Sequence, residues 1–136
     1  MDKNCIFCKI INKEIPCDFL YEDEYAVAFL DIKPNNPGHT LVVPKNHCQN
    51  IFDIDDNILR ELSVRVKKLA HAVKMGTGAD GINIVMNNEP AAGQLVFHAH
   101  IHVIPRFLSD GYKHWPGKPY AEGEMPAVAK KIKASL

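Results

Sequence analysis

Three histidines alternate with apolar residues in FHAHIHVIPR, residues 97–106: His98, His100 and His102. The chain has seven histidines, so this run concentrates three of them within five residues. Imidazole acts as a metal ligand, a proton shuttle or a nucleophile, and a reference pKa of about 6.5 leaves it largely uncharged at neutral pH. Alternate side chains on a strand share a face, with same-face neighbours roughly 6.5 to 7 Å apart. The three imidazoles would therefore line one face, while Ala99, Ile101 and Val103 would turn to the other, towards a core or a helix. Two chemistries suit such a row. Two same-face histidines plus a third ligand from elsewhere make a catalytic zinc site. Alternatively, one imidazole is a nucleophile and its neighbours position phosphates. The residue types alone leave both open.

Cys5 and Cys8 form a C-x-x-C pair, while Cys17 and Cys48 belong to no motif. In a reducing compartment such a pair points to metal or redox chemistry. No thioredoxin-like βαβ pattern surrounds it, which counts against a redox motif and leaves a pair of metal ligands or a reduced buried pair. The start of the chain lacks a long apolar stretch behind basic residues, and no run is long and apolar enough to span a bilayer. The expectation is a cytosolic protein with reduced thiols rather than disulfides, and no membrane partner. Sixteen basic residues balance sixteen acidic ones, which argues against holding nucleic acid by an overall field. One bound nucleotide remains allowed, because a few local donors hold a phosphate without net charge.

The elements that must position these residues follow from pattern. At 136 residues the chain reads as one domain, without internal repeat or low-complexity segment. CIFCKIINKEI suggests a short helix ended by Pro16. DFLYEDEYAVAFLDI reads as a hairpin about the acidic turn EDE, KPNNPGH as a loop, and TLVVP as a strand stopped by Pro44. Leu59, Leu62, Val66, Leu69 and Val73 recur at helical steps and place a long helix over about 55–75. Aspartates crowd its start, lysines sit late in it, and Gly76 and Gly78 are candidate terminators. GINIVMNN is the next strand, NEPAAGQ a turn, and LVFHAHIHVI a strand ended by Pro105. Beyond Arg106 the chain is dense in Gly and Pro and reads as an irregular tail over 107–136. Its last ten residues fit either a solvated end or a short basic helix with Pro126 in its first turn.

The run H-A-H-I-H-V-I resembles the signature of the histidine triad superfamily. CIFCKIINKEIP, FLDIKPNNPGHTLVVPKNH and NNEPAAGQLVFHAHIHVIPR resemble further stretches of that family, in its order, from about Cys5 to Arg106. The branch most resembled is the Hint-like group of purine nucleoside phosphoramidases and their bacterial relatives. The resemblance implies an α+β fold, a mostly antiparallel sheet with one long helix and a short N-terminal one, and a two-fold homodimer.

The resemblance also implies roles. His100 matches the histidine that attacks the α-phosphorus and is transiently nucleotidylated, and a backbone carbonyl should fix its tautomer. His102 matches the third histidine, on the phosphate and leaving-group side, and His39 a further one facing the phosphate. Asp31 matches the carboxylate that clamps ribose hydroxyls. Phe7, Ile10, Phe29 and Ile32 match the apolar positions around the base, although plain core packing explains them equally. Asn87, Gly93 and Gln94 match phosphate-side residues. Cys5, Cys8, His47 and His98 match a structural zinc set, a closed Cys2His2 site with no position left for chemistry. Two departures stand out. Leu95 occupies a position where many Hint-like proteins carry a hydroxyl, and HWPG (114–117), which resembles a Hint-like C-terminal stretch, lies farther from the triad than expected.

The implied function is hydrolysis or transfer at the α-phosphorus of purine nucleotides, with nucleoside phosphoramidates the leading substrates. A dinucleoside polyphosphate hydrolase uses the same nucleophile. A nucleotide-binding scaffold with residual catalysis and a metallohydrolase built on the histidine strand are the readings of another kind.

Overall fold

A computed structural model of the chain describes residues 2–136. Its elements are α1 (Ile6–Ile11), β1 (Tyr21–Glu22), β2 (Ala26–Leu30), β3 (Thr40–Pro44), α2 (Asp56–Thr77), β4 (Gly81–Val85), β5 (Ile101–Arg106) and α3 (Glu124–Ala134), with a 3₁₀ turn over Pro90–Ala92. The strands form one antiparallel sheet in the order β1-β2-β3-β5-β4. The expected α+β architecture is what the chain adopts.

Both faces of the central strands are covered, which is why AVAFL and TLVVP read as nearly continuous apolar runs. On one face Ala26, Ala28, Val42, Ile101 and Val103 pack against Leu62, Val66, Leu69 and Val73 of α2. On the other, Val27, Phe29, Leu41 and Val43 pack against Cys5, Phe7, Cys8 and Ile11. Each fully buried aliphatic side chain contributes roughly 1.5–3 kcal/mol by leaving water. Leu62, almost wholly enclosed in the α2 layer, is the most exacting of them. Leu62→Ala should lower the unfolding free energy by about 2–5 kcal/mol in a denaturant titration.

α2 begins at Asp55, whose carboxylate accepts the N–H groups of Asn57 and Ile58, and ends at Gly78 in the left-handed conformation, φ 69°. Gly76 lies inside the helix and does not end it. The expected hairpin forms because Asp23 Oδ1 accepts the N–H groups of Tyr25 and Ala26, each at 2.9 Å. Asp23 Oδ2 also takes a bond from Arg65 Nε at 2.6 Å, tying the hairpin to α2. Burial alone would raise the Asp23 carboxyl, but Arg65 and these N–H donors outweigh it and hold its pKa well below the usual range. Asp110 is held low in the same way, first by Arg106. A carboxyl depressed on folding stabilises the folded state above its unfolded pKa of about 4, and loses that contribution as pH falls towards the folded value. The denaturant midpoint should therefore fall steadily on acidification below about pH 5, and Asp23→Asn should flatten that slope.

Three boundaries differ from the sequence expectation. α1 stops at Asn12, and the chain turns through Lys13 at φ 63°, so Pro16 lies beyond the helix. β5 starts at Ile101, not Leu95, and runs through Pro105 to Arg106. Pairing with β3 ends at Val42 opposite Ile101, because the carbonyl of Pro44 is taken by the His98 ring at 2.8 Å. Pro105 is tolerated because β3 has no partner beyond Val103, so no bond on that side needs its missing N–H. The tail is irregular only to Gly123, since Glu124–Ala134 form a helix with Pro126 in its first turn.

Candidate active site

The backbone before β5 is extended but unladdered, and it still sends alternate side chains to opposite faces. Ala99, Ile101 and Val103 enter the α2 layer. His98 and His100 both meet Phe7 on the α1 side, with ring centroids 5.9 and 5.2 Å away. The His100 and His102 rings lie 4.9 Å apart.

His98 leaves the row and joins the cysteine pair. Its Nδ1 lies 3.4 Å from Cys5 Sγ, 3.6 Å from Cys8 Sγ and 3.2 Å from His47 Nδ1, and Cys8 Sγ is 3.3 Å from His47 Nδ1. Ligands at ordinary zinc distances in a tetrahedron are about 3.3 to 3.8 Å from one another, and these four separations lie close to that edge length. The tautomer matches as well. Nε2 of His98 donates to the Pro44 carbonyl, which leaves a bare Nδ1 facing the sulfurs; such a bond from the far ring nitrogen orients a metal-bound imidazole. Burial pulls the His98 pKa down to about 4, so the ring is neutral and fit to ligate. The donor set suits zinc.

His100 Nδ1 lies 2.7 Å from the carbonyl of His98. A carbonyl only accepts, so Nδ1 carries the proton and Nε2 carries the lone pair, with no protein hydrogen bond to it among the described residues. Burial lowers the His100 pKa, which keeps the ring neutral. The sequence expectation of a carbonyl fixing the tautomer is met by the backbone of its own neighbour but one.

A second chain of bonds fixes His102. The N–H of Asn35 donates to His39 Nδ1 at 3.1 Å, so His39 holds its proton on Nε2. His39 Nε2 lies 2.8 Å from His102 Nδ1 and must donate to it. His102 therefore carries its own proton on Nε2. That atom is buried and has no hydrogen-bond partner among the described residues. A buried N–H left unpaired costs about 1–3 kcal/mol, and a phosphate or leaving-group atom would relieve that cost. Burial first, then the neighbouring His100 and His39, bring the His102 pKa to about 4. Asp31 Oδ2 stands 3.8 Å from His39 Nε2, and Asp31, His39 and His102 cluster closely enough to suggest a metal group. The 2.8 Å nitrogen pair is instead the length of a shared proton, shorter than the roughly 3.3 Å of two nitrogens on one zinc.

The remaining expected residues divide. Phe7 and Phe29 are core residues in edge contact with each other, Ile10 packs partly buried beside them, and Ile32 is open to solvent. Gly93, at φ 88°, ends the 3₁₀ turn, and its Cα side faces the Asn87 amide. Gln94 is a correction. Its Oε1 accepts the Glu89 N–H and its Nε2 donates to the carbonyls of Gln49 and Val96, so the side chain holds the loop and has no end left for a phosphate. Leu95 beside it is almost fully exposed. Sequence reading expected a carbonyl at His100 without locating it at His98, and missed the Pro44 carbonyl and the Asn35 N–H, since every residue type offers the same main-chain groups. The Asn50 side chain, buried beside Gln94, was missed for want of a motif.

A family profile described as "HIT domain" matches residues 12–108. The chain is 44% identical to the adenosine 5'-monophosphoramidase HNT1 of Saccharomyces cerevisiae, over all of this chain and 85% of that protein. A crystal structure of a HIT family member from Bacillus subtilis superposes with a TM-score of 0.90 at 38% identity, covering 98% of each chain. A Zn-bound histidine triad family protein from Mycobacterium smegmatis superposes with a TM-score of 0.77 at 34% identity, again covering 98% of each.

Proposed function

The chain belongs to the HIT domain family, and from that premise we propose that it is a nucleotidyl hydrolase in which His100 Nε2 attacks the α-phosphorus of a purine nucleoside phosphoramidate. The observation that carries this reading is the 2.7 Å bond from His100 Nδ1 to the His98 carbonyl, which bares the attacking nitrogen.

The first displacement forms a bond between His100 Nε2 and phosphorus and breaks the P–N bond. The departing amine needs a proton, which His102 gives from Nε2 in its imidazolium form, the ring having taken up a proton from solvent as the negatively charged phosphate binds beside it. His102 then recovers a proton from the water that attacks the nucleotidyl-histidine, while the lone pair returns to His100 Nε2. Splitting the displacement in two avoids direct attack by a weak water nucleophile. Asp31 has Oδ2 to offer ribose hydroxyls, since Lys33 N–H occupies Oδ1. Exposed Ile32 offers an apolar wall to the base, and Asn87 with the Gly93 backbone borders the phosphate path.

Cys5, Cys8, His47 and His98 would hold one zinc ion, which when bound supplies a cross-link between α1, the segment after β3 and the histidine run. A two-fold dimer is supported by β4, which lies at the sheet edge with Ile84 half exposed.

The test compares kcat/KM for an adenosine phosphoramidate and for diadenosine tetraphosphate on the same preparation. The phosphoramidate should be the better substrate. A clear preference for the tetraphosphate would move the assignment to the dinucleoside polyphosphate hydrolases.

A further inference from the structure

Beyond cross-linking the fold, the cysteine–histidine centre shares residues with the nucleophile. His98 faces the sulfurs through its ring, while its main-chain carbonyl accepts the His100 Nδ1 proton. Phe7 lies between Cys5 and Cys8 in sequence, and its ring meets His100 nearly perpendicular, at 86°. The two supports of the His100 ring, one polar and one apolar, are thus both carried by the segments that bear the ligands. Among the described residues, neither cysteine nor His47 hydrogen-bonds to His100.

We propose that the Cys5–Cys8–His47–His98 centre is the positioning device of His100: with zinc bound, the His98 carbonyl and the Phe7 ring are held where they fix one tautomer and one orientation of the nucleophile. The inference rests on the nucleophile reading above for its catalytic consequence but not for its structural one. Without the ion, α1, a helix of six residues with no side-chain cap, is kept in place by the apolar packing of Phe7, Cys8 and Ile11 on the sheet alone. Phe7 and the His98 backbone then lose their common anchor. The effect falls on the chemical step, because Asp31, His39 and His102, on the nucleotide side, belong to a separate network of bonds.

The test uses the full chain, ring-labelled with ¹⁵N at histidine and without substrate. Zinc is withdrawn by a chelator and then restored, in the native protein and in His47→Ala, which removes a partly exposed ligand. With zinc bound, the His100 ring should show a single Nδ1–H tautomer. As zinc is withdrawn that signal should give way to averaged tautomers, while the amide signals of Leu62 and Val66 in α2 persist. In parallel, kcat should fall about tenfold or more, as for outer-shell changes at other sites, with KM altered less than about twofold. Restored zinc, or His47→Cys, which offers a closed Cys3His set, should return both.

A ring signal indifferent to zinc, or a chain that takes up no zinc, overturns the proposal. So does loss of the α2 amides together with the ring signal, which would make the centre a support of the whole fold. Turnover that survives in His100→Asn would overturn the nucleophile instead, and would leave the ring spectra to decide the positioning.

Discussion

Replacing His100 with asparagine is expected to lower kcat on a nucleoside phosphoramidate by on the order of 10⁴-fold, with nucleotide affinity changed no more than a few-fold. Asparagine keeps a side-chain N–H for the His98 carbonyl and most of the ring's volume, so the pocket survives. What it lacks is a basic nitrogen. Asp31 and the proton chain through His39 to His102 remain in place, which is why binding and turnover should separate. Single-turnover kinetics beside equilibrium titration with a nucleoside monophosphate measures both. A metal-dependent hydrolase built on the same strand would behave otherwise, with chelation alone abolishing turnover quickly. Here His98 is committed to the cysteines and His102 to His39, so no pair of strand histidines is free to share a catalytic ion.

The second large effect belongs to His102, and its size should depend on the leaving group. General acid catalysis contributes typically 10²- to 10⁴-fold, and an alkylamine cannot depart without a proton. His102→Ala should therefore cost about 10²- to 10⁴-fold on a phosphoramidate of an alkylamine. On a nucleotide p-nitrophenyl ester, whose phenolate leaves unprotonated, the loss should be less than about tenfold, covering lost phosphate contact only. Equal losses on the two substrates would make His102 a phosphate ligand and not an acid. The geometry favours the acid, because the Asn35 N–H forces the His39 proton, and with it the His102 proton, to the outward nitrogen.

Much of this arrangement was legible in the residues. The helical recurrence of Leu62, Val66, Leu69 and Val73 marked α2 and its buried face, since each turn must present apolar surface to the sheet. The alternation in HAHIHV marked two faces, and the split of Ala99, Ile101 and Val103 from the histidines is what the chain shows. The C-x-x-C pair and His47, distant in sequence, meet His98 within ligand distance. What the residues hid was main-chain chemistry. The strand begins late at Ile101 because a ring, and not a neighbouring strand, takes the Pro44 carbonyl. The same blindness misplaced Gln94, whose type suits a phosphate as well as it suits a loop, and only its three short bonds to Glu89, Gln49 and Val96 decide between them.

The central claim is that the nucleotide passes through a covalent bond to His100, and the stereochemical course at phosphorus tests it most directly. A phosphoramidate made chiral at the α-phosphorus with sulfur is hydrolysed in ¹⁸O-water by the zinc-loaded protein, and the product's configuration is read. Two in-line displacements give net retention, which is the result expected here. Net inversion would mean that water attacks phosphorus in a single step, and His100 could not then be the nucleophile.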